Sequence, residues 1–519
     1  MRTIVRVFKS VFLPHRPSLE EQGFVEENRK HWQAANSGQV VLVETALGTP
    51  ASLLEKFLIA KQVEQETGAS AIAVLNSIYP TASEAHGIAS SFRIERFICW
   101  WRGYLNPVFV LRCAVEALAI IRNCSNGHGL LDLRIKGIHV GDLLYDTLIR
   151  YRPNCYTVGT LEAKAHFRLI FRAVFNLHTS IRLFDRHVVK AIVTSHTVYA
   201  EFGILCRVAH ARGATVFLKD MDVFRAYGPG SNIYEHFLRV SEGELARALA
   251  DDNTIARAEQ YFKKRLGGDI HQVDLINAYT DKRLYGKEEL LGMFGADNGR
   301  KNVFVLSHAF SDAPHVGGVL AFDDYYVWLR ETLVVLSRNP DVNVFVKPHP
   351  SSYMWGEKGA VEQLLEQIGT TNVHVTPKDL NTLSINGIAD HVVTARGTAG
   401  LEYSGFGIPA VTCGEGYYSG FGISHEDTSR EGYLAQLRDI TSIGPLPEAT
   451  SLKARVLLYL TFTKLARSSI APDRHIYPGD DTDVLIPQHY AEMTTKLRTK
   501  GSYADDFTGT VKAAISSAL

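Results

Sequence analysis

Long apolar segments are missing from this chain of 519 residues. A membrane-spanning helix needs roughly 18 uninterrupted apolar residues. The nearest approach, residues 107–121, is broken by Arg112 and Glu116. The first residues carry too many charges for a secretory signal. We therefore expect a cytoplasmic protein without a membrane-spanning helix.

The chain also has no closely paired cysteines, and neither positive nor negative charges are in excess. The six cysteines form no CxxC pair, so we expect reduced thiols rather than disulfide bonds or a zinc site. Lys plus Arg and Asp plus Glu both number 55. A net charge of zero argues against bulk electrostatic binding, and we expect no nucleic-acid partner.

Two nucleotide-binding motifs are absent. The chain has no GxGxxG, which excludes the dinucleotide fingerprint, and no GxxxxGK[ST], which excludes a P-loop ATPase. We expect no cofactor.

The N-terminal segment MRTIVRVFKSVFLPHR mixes apolar and basic side chains. On a helical wheel the apolar side chains share one side and the basic ones fall elsewhere: Ile4, Phe8, Val11 and Phe12 against Arg2, Arg6 and Lys9. This pattern fits a short anchor on the anionic inner membrane. The simpler alternative is a first helix packed on the protein itself.

Apolar runs that alternate with amphipathic stretches are typical of parallel sheets with crossover helices. The chain is long enough for two such domains, and a charged, glycine-containing stretch at 281–300 separates two sets of runs. We predict an α/β fold of two Rossmann-like, doubly wound domains with a cleft between them, plus a helical insertion and a helical C-terminal tail. The predicted bounds are an N-terminal extension 1–30, a first domain 31–285, a second domain 300–445 and a tail 446–519.

Polar residues follow the predicted strands 302–307 and 342–347 of the second domain. Parallel strands bind ligands at their carboxyl edge. An imidazole there can donate to a phosphate oxygen. A histidine bonded to a neighbouring carbonyl is the alternative. The candidate nucleotide-binding residues in these two loops are Ser307, His308, Lys347, His349, Pro350 and Ser351.

The third loop of this edge, RGTAGLE, joins a strand to a helix. Small residues let the backbone N–H groups of a helix N-terminus approach an anion, and a glutamate in the first turn can reach ribose hydroxyls. Tight helix–sheet packing is the alternative. The candidates here are Arg396, Gly397, Thr398, Ala399 and Glu402.

The first domain offers weaker candidates for a catalytic base, which must be a carboxylate or an imidazole. Glu44 ends a predicted strand and His196 follows another, and Asp142 and Asp146 have the i, i+4 spacing of a helix. We favour Asp142, because Gly141 would let an acceptor approach the backbone. Helix capping by Asp142 is the alternative.

The second domain resembles bacterial capsule and surface-polysaccharide biosynthesis proteins in three stretches: Lys347-Pro348-His349-Pro350, Arg396-Gly397-Thr398 through Glu402, and Gly407-Ile408-Pro409. KGIHVGDLLYDTLIR and SHAFSDAPH also look like stretches of that group. The resemblance covers residues 130–420 discontinuously. It implies a metal-independent GT-B glycosyltransferase that holds the nucleotide in the second domain and the acceptor in the first.

Two further likenesses refine this expectation. The His-Pro dipeptide is similar to a motif of sialyltransferases and Kdo transferases that use CMP-sugars, which implies that His349 contacts the phosphate. Glu402 is similar to the ribose-binding glutamate of UDP-GlcNAc 2-epimerases. No first-domain residue matches a family's catalytic Asp or Glu, so the base and the stereochemistry stay open.

The sequence thus predicts a surface-polysaccharide glycosyltransferase. Its donor would be a CMP- or UDP-sugar, with CMP-Kdo favoured, and its acceptor a glycan or a lipid-linked glycan. The alternatives are a nucleotide-sugar 2-epimerase and a non-catalytic partner in capsule assembly or export.

Overall fold

A computed structural model describes residues 14–124, 126–220, 223–235, 239–267, 281–463, 467–477 and 479–519. The N-terminal anchor predicted for the first residues falls almost entirely outside these ranges. No helix within the described ranges is long and apolar enough to cross a membrane. All six cysteines are described, and each is a free thiol.

The strands alternate with helices along most of the chain. They are β1 Gln39–Glu44, β2 Ser70–Leu75, β3 Phe97–Cys99, β4 Arg134–Ile135, β5 Ile138–His139, β6 Val188–Thr194, β7 Thr215–Asp220, β8 Val223–Tyr227, β9 Lys301–Leu306, β10 Val342–Lys347, β11 Val373–Val375, β12 His391–Val393, β13 Ala410–Thr412 and β14 His425–Glu426.

The α-helices are α1 Leu19–Asn28, α2 Pro50–Thr67, α3 Ala85–Ser91, α4 Pro107–Asn123, α5 Gly127–Leu131, α6 Gly141–Tyr151, α7 Ala163–Arg186, α8 Ile204–Ala211, α9 Glu242–Leu249, α10 Asp252–Leu266, α11 Lys287–Phe294, α12 Tyr325–Leu336, α13 Ala360–Ile368, α14 Thr398–Ser404, α15 Arg430–Arg438, α16 Glu448–Phe462, α17 Thr482–Lys500 and α18 Asp506–Ala518. Shorter 3-10 segments include Trp100–Leu105, and Tyr199–Gly203 is a π-helical turn.

Each of two compact units is built around one six-stranded sheet. The first sheet has the order β3-β2-β1-β6-β7-β8, in which only β8 runs antiparallel. The second has the order β11-β10-β9-β12-β13-β14 and is parallel throughout. Both orders are the doubly wound 3-2-1-4-5-6 arrangement of Rossmann-like folds. The predicted fold class of two doubly wound α/β domains is confirmed.

The sheets lie in hydrophobic layers because their strands are apolar almost throughout. Residues 40–43 of β1 and 344–346 of β10 are fully buried. A run that is apolar on both faces needs helices on both sides, which is the usual environment of parallel strands.

The units divide the chain differently from the predicted domains. The described residues of unit 1 lie within 14–147, 159–233 and 467–519, and those of unit 2 lie within 148–158 and 234–463. Helices α9 and α10 share a core with α16 in unit 2, so the change of unit precedes the charged stretch at 281–300. Helices α17 and α18 join the core of α2 in unit 1 through residues such as Met493 and Val511.

Candidate functional site

In both sheets the strand order reverses at one point, between β1 and β6 in unit 1 and between β9 and β12 in unit 2. Ligands of doubly wound folds bind outside the carboxyl ends of the strands at this switch point. His349 follows β10 and Gly397 follows β12, and both strands are parallel to β9. The two residues therefore lie at the same sheet edge, as predicted.

His349 stands at the end of β10 and is held by its own loop. Its backbone N–H donates to Oγ of Ser307 at 3.0 Å. Its ring Nδ1 accepts from the backbone N–H of Ser351 at 3.3 Å. A backbone N–H can only donate, so the neutral ring carries its proton on Nε2. The sequence predicted an imidazole that donates to a phosphate oxygen, and the geometry leaves Nε2–H for that role.

His308, one strand away, is fixed from several sides. Its Nε2 lies 3.3 Å from the backbone N of Arg396 and 3.2 Å from Oγ1 of Thr394. The ring stacks on Tyr325 with 4.1 Å between centroids. Burial comes first among the causes that lower the pKa of His308 well below its usual value of 6.5, followed by the positive charge that His349 carries when it is protonated and by the charge of Arg396. The ring is therefore neutral at pH 7.

Arg396 is buried at the same edge of the second sheet and holds a neighbouring segment of the chain in place. Its guanidinium donates to the carbonyl oxygens of Val316 at 2.7 Å and Val319 at 3.2 Å. Its Nε is buried without a hydrogen-bond partner among the described residues. Arg396 thus holds residues 316–319 beside the loop and adds positive charge, while two of its donor groups are committed to the chain.

The turn after β12 begins the short helix α14. Gly397 is its N-cap, and Thr398 and Ala399 open its first turn, partly exposed. A Cβ on Gly397 would lie 2.8 Å from Oγ1 of Thr394, so the turn packs tightly. The hydroxyl of Tyr418 donates to the Gly397 carbonyl at 2.8 Å.

Two of the predicted nucleotide ligands have partners in unit 2 already. The carboxylate of Glu402 is buried in a 2.8 Å ion pair with Nε of Arg265. The ammonium of Lys347 is buried and donates to the Leu380 carbonyl at 3.3 Å, and burial, then the charge of Lys282, lowers its pKa to about 8. Contact of either residue with a nucleotide stays a prediction, as does contact by Pro350.

Glu357, which the sequence analysis missed, ties the loop after β9 to the loop after β10. Its carboxylate accepts from the backbone N–H of Phe310 at 2.9 Å and from the N–H and hydroxyl of Ser311 at 2.8 and 2.6 Å. Burial raises the pKa of Glu357, although these hydrogen bonds and His349 oppose the rise. Glu357 follows the proline-bounded loop by seven residues, and no spacing rule would have identified it.

In unit 1, Glu44 ends β1 at the switch point and is buried. Its carboxylate accepts from the N–H and hydroxyl of Ser195 at 3.3 and 3.1 Å and lies 3.4 Å from Nζ of Lys56. Burial would raise the pKa of Glu44, but Lys56 and the hydrogen bonds from Ala46 and Ser195 outweigh it, so the pKa is lowered. Glu44 is an ionised anchor between β1 and β6.

Asp142 and Asp146 are buried on α6. Asp142 forms a two-point ion pair with Arg207 on α8, at 2.6 and 3.4 Å. A Cβ on Gly141 would lie 2.1 Å from the carbonyl oxygen of Leu130. Gly141 is therefore required for close packing of the chain against itself, and the approach of an acceptor to this backbone stays a prediction.

His196 follows β6 and is the partly exposed member of the four predicted base candidates. Its Nε2 lies 3.9 Å from a carboxylate oxygen of Asp220, which ends the neighbouring strand β7, and the side chain is 28% exposed. Its Nδ1 is buried without a hydrogen-bond partner among the described residues. The ring lies against Phe202 with 5.0 Å between centroids.

A pocket that was not predicted from the sequence opens at the carboxyl edge of the first sheet. It is partly open to solvent and is lined by Glu44, Ala46, Val74, Asn76, Trp100, Trp101, Tyr104, Arg172, Asn176, Glu201 and Leu205. Aromatic faces beside charged and amide groups suit a polar ring such as a sugar.

The loop that carries Glu201 is strained. Tyr199 has a φ of 55° although it is not glycine, and it opens the π-helical turn Tyr199–Gly203. Such strain and π-turns concentrate at functional sites. The stretch SHTVYAEFG directly after a strand, and the Trp100–Trp101 pair, were the sequence signals for this pocket.

Part of unit 2 matches a known family. Residues 332–441 match the family model described as capsule polysaccharide biosynthesis protein. This match confirms the resemblance predicted from the sequence over that range, which includes His349 and Arg396.

Curated relatives share a similar stretch. The chain is 31% identical over 137 residues to the capsule polysaccharide modification protein LipA of Neisseria meningitidis serogroup A. A second LipA, from serogroup B, is 31% identical over 127 residues. The matches cover 26% and 24% of this chain but only 18% and 17% of the relatives. The chain thus spans less than a fifth of the length of the relatives it matches.

Solved structures give distant matches. KpsC of Thermosulfurimonas dismutans, a beta Kdo 2,4 transferase, has a TM-score of 0.33 and 12% identity over 52% of this chain and 79% of its own. Alr3699/HepE of Anabaena, in complex with UDP-glucose, has a TM-score of 0.26 and 12% identity over 88% of this chain and all of its own.

Proposed function

We propose that this protein is a glycosyltransferase of bacterial surface-polysaccharide biosynthesis. Unit 2 would bind the nucleotide of an activated sugar, and unit 1 would bind the acceptor glycan. The observation that carries the proposal is the cluster of His308, His349, Arg396 and Gly397 at the switch point of the second sheet. The family match spans three of these four residues.

The chemistry of this cluster suits a leaving nucleotide. Transfer of a sugar leaves negative charge on a phosphate oxygen, and fixed donors aimed at that charge lower the barrier. The Nε2–H of His349 and the buried cation of Arg396 offer a donor and a positive field in a preorganised loop. No metal ion is needed for this role.

The proposal also ranks the classes of nucleotide-activated sugar that would serve as the donor. A histidine–proline pair after a strand is similar to the motif of transferases that use CMP-sugars. We therefore place CMP-activated ulosonic acids such as Kdo first, and UDP-hexoses second. Glycan and lipid-linked glycan are both acceptor classes of the proposal, and residues 1–16 stay a predicted membrane anchor.

In this proposal the acceptor hydroxyl loses its proton to a group of unit 1, the unit that would bind the acceptor. The surroundings of the four candidates differ. Asp142 is paired with Arg207, Asp146 is 2% exposed, and Glu44 is held by Lys56 and Ser195. His196 is partly exposed and has a carboxylate nearby. We therefore assign the base to His196, with Asp220 placed to stabilise the charged ring.

A transfer assay tests the proposal. Purified protein is incubated with CMP-Kdo, CMP-sialic acid, UDP-glucose or UDP-GlcNAc, each with and without an extract of bacterial lipid-linked glycans. We expect one donor to be consumed only with acceptor present, with release of the nucleotide. Conversion of donor without acceptor would indicate an epimerase instead. No turnover of any donor, with nucleotide still bound, would favour a non-catalytic assembly partner.

A further inference from the structure

The outward face of helix α4 carries an unusual concentration of exposed apolar side chains. Six of the eighteen large apolar side chains that are exposed in the described chain lie within residues 104–118. Five of them form what we term the α4 ridge: Leu105 (62% exposed), Val108 (59%), Leu111 (64%), Val115 (60%) and Leu118 (48%). A contiguous exposed apolar strip on a folded protein marks an interaction site.

The α4 ridge faces solvent, because the opposite face of α4 is packed against the protein. Phe109, Cys113 and Ala117 on that side are buried. The Phe109 ring lies under the guanidinium of Arg182 on α7 at 3.8 Å and against the Phe175 ring, 5.2 Å between centroids. Helix α4 is thus docked on α7 by one face and presents the other to solvent.

The surroundings of the ridge are basic, although the whole chain is neutral. Two nearby acids have partners, since Glu116 accepts from His178 at 2.6 Å and Asp185 pairs with Arg212 at 3.0 Å. Glu162 is exposed at the start of α7. Exposed cations lie on α4 itself, namely Arg112 and Arg122, and on the 3-10 segment and α7, namely Arg102, Lys164, Arg168 and Arg172.

We propose that the α4 ridge docks the protein on an anionic lipid bilayer. A helix with an apolar face flanked by arginines lies in the interfacial plane, with its apolar side chains among the acyl chains and its cations at the headgroups. Arginine stems can follow the apolar surface while their heads stay at the lipid phosphates. This charge pattern favours a membrane over an apolar protein partner.

The ridge begins at the rim of the unit 1 pocket. Tyr104 lines that pocket and is 40% exposed directly before Leu105, and Arg172 lines it from α7. Bilayer docking would therefore bring the pocket to the headgroup layer, where the sugar of a lipid-linked acceptor lies. This consequence rests on the proposed function, whereas the docking itself does not.

Vesicle flotation tests the docking. The full chain is mixed with vesicles of phosphatidylcholine alone or with an equal part of phosphatidylglycerol. We expect wild type to float with the mixed vesicles only. The variant L111E/V115E should lower partitioning on the order of a hundredfold, because two apolar side chains lose their burial in the bilayer. The variant R112Q/R122Q should lower partitioning about 25-fold, because each lost arginine lowers it about fivefold.

A matched control introduces the same two charges elsewhere. Met293 and Val484 are 55% and 49% exposed on α11 and α17, and M293E/V484E should float like wild type. Transfer to a soluble acceptor without vesicles should be unchanged in both ridge variants. This assay tests the proposed transferase function independently of membrane docking.

Three results would overturn the docking surface. One is failure of wild type to float with either vesicle. Another is flotation of both ridge variants at the wild-type level. The third is a wild-type dimer in light scattering that L111E/V115E converts to a monomer, because the ridge would then join two copies of the chain. Slower hydrogen exchange across residues 104–123 on addition of mixed vesicles would support docking even if L111E/V115E failed to fold.

Discussion

His349 offers the proposed donor site only one ring nitrogen as a hydrogen-bond donor. Because Nδ1 accepts from the Ser351 backbone, a phosphate would be met by Nε2–H. Replacing His349 with Ala should lower transfer by about a hundredfold, the usual cost of losing one donor to a developing negative charge. The fold should survive, since this side chain is partly exposed at a loop.

The control for this substitution is His374→Ala. His374 lies on β11 and its ring stacks on Phe294, 4.8 Å between centroids, so its loss should spare the steady-state rate. Wild-type turnover by a folded His349→Ala protein would remove the residue from the mechanism.

The base in unit 1 can be assigned with two substitutions. His196→Ala should abolish transfer and leave nucleotide affinity intact. Asp142→Asn should cost about 3 kcal/mol or more of stability, because it removes the negative charge that pairs with the buried Arg207, but should spare transfer in the protein that remains folded. A stable Asp142→Asn protein that binds nucleotide and transfers no sugar would reverse the assignment.

His308 should make unit 2 sensitive to acid. Its pKa in the folded chain lies well below 6.5, chiefly because of burial. Below pH 6.5 the unfolded chain then binds more protons than the folded one, so stability is full above this pH and is lost as the pH falls. The Tm of wild type should decline more steeply from pH 7 to 5 than that of His308→Gln. Parallel declines would contradict the assignment.

At the scale of elements, the start of α6 depends on close backbone packing. A Cβ at Gly141 would lie 2.1 and 2.3 Å from the carbonyl oxygens of Leu130 and Leu131, and backbone can yield only by moving the helix. Gly141→Ala should destabilise unit 1 by about 2–3 kcal/mol. Gly292→Ala in α11 meets no atom within 4 Å and should stabilise by up to about 1 kcal/mol. Equal melting temperatures of the two variants would refute this account of α6.

The central strands were predictable because each is a run of apolar residues bounded by polar ones. The predicted run 342–347 is β10 to the residue. The strands β3, β8 and β14 were not predicted, because none of them is an apolar run bounded by polar residues on both sides; they have two to five residues and partly exposed positions. Short strands owe their conformation to pairing with a neighbour, and the local sequence does not record that neighbour.

The positions of the site loops were predictable, but the directions of their side chains were not. Parallel strands place His308, His349 and Gly397 at one edge whatever their side chains do. Lys347 and Glu402 are held by Leu380 and Arg265, which are distant in sequence. Hydrogen-bond and ion-pair partners from distant parts of the chain thus set the direction of a charged side chain at a loop.

For the whole molecule, the assignment of helices to units was the least predictable property. An amphipathic helix shows that it needs an apolar partner, but any core of suitable shape would serve. Helices α17 and α18 follow unit 2 in the chain, yet they complete the core of unit 1 around Phe57 and Tyr490.

The most direct test of the account is nucleotide binding measured by thermal shift with CMP, CDP, UDP and GDP. Saturating ligand stabilises the folded state by a few kcal/mol, on the order of 3 at a hundredfold excess over Kd. We predict that one of these nucleotides, with CMP first, raises the Tm of wild type and of His374→Ala, and leaves that of His349→Ala almost unchanged. No shift with any nucleotide, or the same shift in His349→Ala as in wild type, would contradict a donor site at the carboxyl edge of the second sheet.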